Sequence, residues 1–163
     1  MAATISSTVI ELLDRSGASI LQASQTTDVA GRYIHAHVGA LRAAAAILAA
    51  RSTPSGWSRP RSVWEVLPSL APELAEWSEF FAASARHRAA LEVGDGQDTT
   101  VSARQADDLL RQVELFVELV QETLGVPQVV ALPEYLSPVS RAGQRAWHTR
   151  DTRHTRHSQD LAG

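Results

Sequence analysis

The chain has 163 residues, enough for one domain with a sizeable core and a tail but too few for two ordinary domains. Hydrophobic residues make up 44% of it and aromatic residues only 6%, so alanine supplies much of the apolar content, which favours an all-α bundle; the lack of cysteine excludes a disulfide framework, a thiolate metal site and a cysteine nucleophile. The net charge of −3 is unevenly placed: residues 1–140 hold ten Arg against sixteen Asp and Glu, and residues 141–163 hold five Arg against two Asp, so an acidic body carries a basic tail.

In chain order, Ile10, Leu13, Gly17, Ile20 and Leu21 fall at helical spacing and predict a first helix over residues 5–23. Gly17 weakens it, and the segment 1–24 is open to either loose or close packing on the rest. The opening MAATISSTVIELLDRSG lacks a basic region followed by a long apolar run, and Arg42 interrupts the most apolar helix. Neither a signal peptide nor a membrane span is therefore expected, and the expected location is the cytoplasm. Asp28 suits the N-cap of a second helix that ends at Ser52, Thr53 and Pro54. Its inward face would hold Tyr33, His37, Ala40, Leu41, Ala44, Ile47 and Leu48, and its outward stripe Arg32, His35, Gly39 and Arg42.

Residues 53–61, TPSGWSRPR, read as a loop, followed by a short helical turn that inserts Trp64. Pro72 suits the first turn of a third helix, with Glu73, Glu76 and Glu79 near the positive end of its dipole. Leu74, Trp77, Phe81, Ala85 and Leu91 make its buried stripe. Two glycines among short polar residues make 93–100 a loop. Ser102 and Gln105 then form a capping-box pattern, and Ala106, Leu109, Val113, Phe116, Val117, Val120 and Leu124 give an apolar stripe that stops at Gly125. Three prolines forbid a continuous helix through 127–138, an extended segment expected to lie over the bundle through Val129, Val130, Leu132 and Tyr135. Residues 139–163 have almost no apolar content beyond Trp147 and are expected to be disordered alone.

The segments Asp28–Arg51 (DVAGRYIHAHVGALRAAAAILAAR), Ser62–Ala90 (SVWEVLPSLAPELAEWSEFFAASARHRAA) and Ser102–Gly125 (SARQADDLLRQVELFVELVQETLG) together resemble the small actinobacterial branch of the HEPN (higher eukaryotes and prokaryotes nucleotide-binding) domains, across residues 25–126. The resemblance implies a compact four- to five-helix bundle that commonly forms a homodimer and needs no cofactor or metal. Catalytic HEPN ribonucleases carry an Arg-x4-6-His motif, in which Arg holds the phosphate and His supports attack by the ribose 2′-hydroxyl. Arg32 and His37 have that spacing. Five residues of helix nevertheless turn two side chains apart by about 140°. The family motif also tends to lie near the last long helix, where this chain has no His, and to have a polar residue after Arg, where this chain has Tyr33. The expectation is therefore a His37 packed beside Tyr33, in a non-enzymatic interaction module associated with RNA, nucleotides or another protein. A metal-independent ribonuclease using Arg32 and His37 is the rival.

Other clusters read more blandly. His35 and His37 are two residues apart on a helix and point to different faces, which does not suit a shared metal. Arg86 and Arg88 flank His87 and would join Arg32, His35 and Arg42 in a basic phosphate-binding groove if their helices were neighbours. Tyr33, Trp64, Trp77 and Arg32 would line a small-molecule or nucleotide pocket, although large rings at helical spacing more simply fill a core. In the tail, His148, His154 and His157 with Arg145, Arg150, Arg153 and Arg156 suit metal or nucleic-acid backbone, against the simpler reading of a dispensable flexible segment. Asp107 and Asp108 are adjacent and face different ways, which suits salt bridging better than paired acid–base chemistry.

Overall fold

The computed structural model describes residues 5–52, 61–93 and 100–126, and every element among them is helical. There are five α-helices: α1 Ser7–Gln25, α2 Val29–Arg51, α3 Val63–Leu70, α4 Ala75–Val93 and α5 Ala103–Leu124. A 3₁₀ turn, Pro72–Leu74, links α3 to α4, so the helix expected from Pro72 onward begins with a tighter turn. The extended segment at 127–138 and the Arg- and His-rich tail at 139–163 lie outside the described residues, as do 53–60 and 94–99.

Local chemistry sets the helix ends. Ser6, Asp28, Ser62 and Ser102 each place a side-chain oxygen on a first-turn backbone N–H. At Ser102 the bond is reciprocated by Gln105, which completes the capping box. Helix α5 stops at Gly125, whose φ of 64° lies in the left-handed region that glycine adopts without steric cost.

Helix α2 is the centre of the bundle and packs against α1, α3, α4 and α5. Its buried residues include Tyr33, Ala36, His37, Gly39, Ala40, Ala43 and Ile47, which do not form one stripe. A helix apolar on most sides follows, and Val29–Arg51 is long and apolar enough to cross a membrane by composition, while half of that window is buried within the bundle. Gly39 and Arg42, half of the stripe expected to face outward, are in fact covered by α1. Gly39 is buried, and Ser16 donates a hydrogen bond of 2.8 Å to its carbonyl. Arg42 donates to the Arg15 carbonyl at 2.9 Å and to Ser19 Oγ at 2.6 Å. The reason lies in α1 itself: Val9, Leu13, Ser16, Ser19 and Ala23 form a buried stripe whose middle is made of small hydroxyl residues.

On the other side of α2, rings form the core. Trp64 stacks on Phe81 at 5.1 Å, Phe81 meets Phe116 at 5.0 Å, and Trp77 meets Phe116 at 5.5 Å. Ser78 ties α4 to α3 by donating to the Trp64 carbonyl at 2.5 Å.

Two glycines should respond to substitution with opposite signs. A Cβ at Gly39 would stand 3.1 Å from Ile20 and 3.5 Å from both Val113 and the Ser16 carbonyl. Gly39→Leu is therefore expected to lower stability by about 2 kcal/mol in urea unfolding. A Cβ at Gly17 meets nothing within 4 Å. Gly17→Ala is expected to raise stability by roughly 0.5 kcal/mol, by restricting the unfolded chain.

Candidate functional site

Tyr33 and His37 are one turn apart on α2 and face α4 together. His37 is only 1% exposed. Its ring meets Trp64 edge-on at 5.8 Å and Phe81 at 6.2 Å, and its Nδ1 lies 3.0 Å from Ser84 Oγ. The Tyr33 hydroxyl donates to the same serine oxygen at 3.1 Å. With Tyr33 donating, the single Ser84 proton is left for Nδ1, which puts the imidazole's own proton on Nε2. The three side chains thus form a buried relay, each link satisfying the next.

Arg32 precedes Tyr33 and leaves α2 in another direction. Its guanidinium pairs with Asp107 on α5 and donates to the Thr26 carbonyl at 3.3 Å, in the turn before α2. The fold therefore brings together Tyr33 and His37, and gives Arg32 and His37 different neighbours. The remaining positions considered for phosphate are likewise dispersed. Arg42 is held by α1, Arg88 lies 3.5 Å from Glu92 on its own helix, Arg86 is exposed on α4, and His35 is half-buried on α2. Trp64 is buried in the core and Trp77 stacks on Phe81, so neither ring joins Tyr33 and Arg32 around a shared pocket. Asp108 is bridged by Arg104 and Arg111. Among the described residues no group of three or more His, Asp or Glu is placed to hold a metal.

The concavity that does involve Tyr33 lies elsewhere. It is an open cleft of about 600 Å³ between the middle of α4 and the N-terminal half of α5. Phe80, Ala83, Ser84 and His87 form one wall, and Gln105, Asp108, Leu109 and Gln112 form the other. Tyr33 reaches it from α2 and touches the His87 ring edge-on at 5.0 Å. No lining residue is Arg or Lys.

Ser84 and the partnership of Arg32 with Asp107 both lie outside the sequence expectations. Ser84 carries a signal: it falls three residues after Phe81 and seven after Trp77, so it is a serine on an apolar stripe and needs a buried partner. The Asp107 partnership carries no local signal, because the two residues are 75 apart in sequence.

Burial lowers the His37 pKa from 6.5 to about 4, and the positive charge of Arg88 acts in the same direction. The ring is therefore neutral in the folded protein across the physiological range. The unfolded chain binds a proton near pH 6.5 that the folded chain refuses until about pH 4, so this contribution to stability is complete above pH 6.5 and is lost as pH falls toward 4. The amount lost over that window is about 3 kcal/mol, from roughly 1.4 kcal/mol per pH unit. His37→Gln is expected to show a shallower fall in unfolding free energy over the same window, measured by urea denaturation against wild type. A His37 ring signal that titrated near pH 6.5 in NMR spectra of the folded protein would overturn this account.

A family model for SAV_6107-like HEPN domains matches residues 23–121. No match was found among curated proteins or among solved structures. The matched span covers more than half of the chain and contains α2, α3, α4 and nearly all of α5, including the Tyr33–Ser84–His37 relay and the cleft beside it. With its all-helical bundle and this match, the chain belongs to the HEPN superfamily, in the SAV_6107-like family.

Proposed function

We propose that this HEPN domain is a non-enzymatic interaction module, working in the cytoplasm and paired with a second copy as HEPN relatives commonly are. The observation that carries the reading is the placement of His37. A histidine that supports phosphodiester cleavage must reach the ribose hydroxyl or the leaving oxygen at hydrogen-bond distance. Here the ring is packed against Trp64 and Phe81, and its Nδ1 is engaged by Ser84. Its lowered pKa also leaves it a weak base and an uncharged ring at neutral pH. Arg32 is already paired with Asp107, so binding a phosphate would first require breaking that pair. RNA and nucleotides stay within the partner range that HEPN membership suggests, held by binding alone.

The test is cleavage of a mixed RNA substrate, without added metal, by wild type beside Arg32→Ala and His37→Ala. No cutting by any of the three is expected. Cutting by wild type that both substitutions abolish, in variants that still fold, would replace this reading with a ribonuclease. In the same samples Arg32→Ala is expected to lose about 0.5 kcal/mol of stability, because its partly exposed ion pair is screened by solvent.

A further inference from the structure

The cleft between α4 and α5 has the form of a helix-receiving groove. The two helices touch through Trp77, Phe81 and Phe116, yet each packs more extensively against α2 than against the other. Beyond that aromatic contact they enclose the open cleft. Both walls have helical periodicity: Phe80, Ser84 and His87 on α4, and Gln105, Leu109 and Gln112 on α5. Each stripe spans two turns, a ridge of about 10 Å. A third helix laid between two such ridges packs as any bundle helix does.

Apolar and charged residues around the groove say which helix it would take. Phe80 is 44% exposed on one wall. Leu115, three residues beyond Gln112 on the same side of α5, is 52% exposed. The contact of Phe81 with Phe116 sets these two apolar residues at the same end of the groove. Two exposed carboxylates continue the two faces beyond that end: Glu76 lies one turn before Phe80, and Glu122 lies two turns after Leu115. Neither makes an ion pair among the described residues, nor do the exposed Glu79 and Glu118 on the same two helices, whereas the arginines on the α5 wall, Arg104 and Arg111, both bridge Asp108. We propose that this groove docks an amphipathic helix of a partner protein, with an apolar ridge that covers Phe80 and Leu115 and with Lys or Arg residues that meet Glu76 and Glu122. Apolar burial would supply most of the affinity, and the carboxylates would set orientation and association rate. The proposal rests on the interaction-module reading and names the surface that such a module would use.

The test is an NMR titration of the full chain with a capped, amphipathic peptide of leucine and lysine, beside the same peptide with glutamate in place of lysine. The lysine peptide is expected to shift backbone signals of residues 80–87 and 105–115, and the glutamate peptide to shift none. Phe80→Asp adds a negative charge that would strengthen unspecific attraction, yet it is expected to weaken binding about tenfold or more by removing the largest exposed apolar contact. Ile10→Asp makes the same charge change at an exposed site on α1 and is expected to bind as wild type does. Thermal melts confirm that both variants fold. Shifts confined to another face, equal binding of the glutamate peptide, or Phe80→Asp binding as tightly as wild type would each overturn the proposal. A wild-type dimer that Phe80→Asp dissociates, with no peptide binding, would put a second copy in the groove and overturn it as well. RNA cleavage tests the interaction-module reading on its own, so cutting would remove that reading while failed titrations without cutting would remove only the groove.

Discussion

The structure depends on the crowding of α2. A helix with neighbours on most sides can stay regular only if its side chains are small, and Ala36, Ala40, Ala43, Ala44 and Ala46 meet that demand. Alanine keeps helix propensity high while adding little volume, so the bulk of the core has to come from the surrounding helices. Trp64, Phe81 and Phe116 supply it on one side. On the other side the backbones approach closely at Gly39, and serine hydroxyls replace bulk with hydrogen bonds.

A polar ring in such a place needs partners. His37 is buried against Trp64 and Phe81, and an unsatisfied acceptor there would cost on the order of 1–3 kcal/mol. Ser84 and Tyr33 remove that cost, and together they link α2 to α4 by bonds that dispersion alone would not direct. The cations beside α2 serve the same end. Arg42 fastens α1, and Arg32 fastens the start of α2 to α5. The arginine that has the spacing of the family's catalytic motif is thus a structural tie. Among the described residues, the charges left without an ionic partner are mainly carboxylates.

Much of the bundle is legible in the chain itself. Capping chemistry is local, so Asp28, Ser102 and Gly125 mark helix ends to within a residue or two. Helix α5 is half-exposed and has a single apolar stripe, which makes its orientation readable. Helix α2 is the opposite case: its polar outer stripe suggests solvent, and only the serines of α1 reveal that another helix lies over it. The site divides in the same way. Tyr33 and His37 are one turn apart, and their adjacency follows from helix geometry. Ser84 is 47 residues from His37 and Asp107 is 75 from Arg32, separations at which pairing is a property of tertiary packing.

The family match begins at residue 23, inside the last turn of α1, whereas the residues of α1 that cover α2 include Val9, Leu13, Ser16 and Ser19. The stretch that matches the family model is therefore smaller than what folds here. Excising the domain at the boundary of the match would cut through a helix, strip Arg42 of both its acceptors and open the flank of Gly39 to water. Any transplant of this module into another chain has to carry the first helix with it, because small, hydroxyl-bearing residues have to lie across that face of α2.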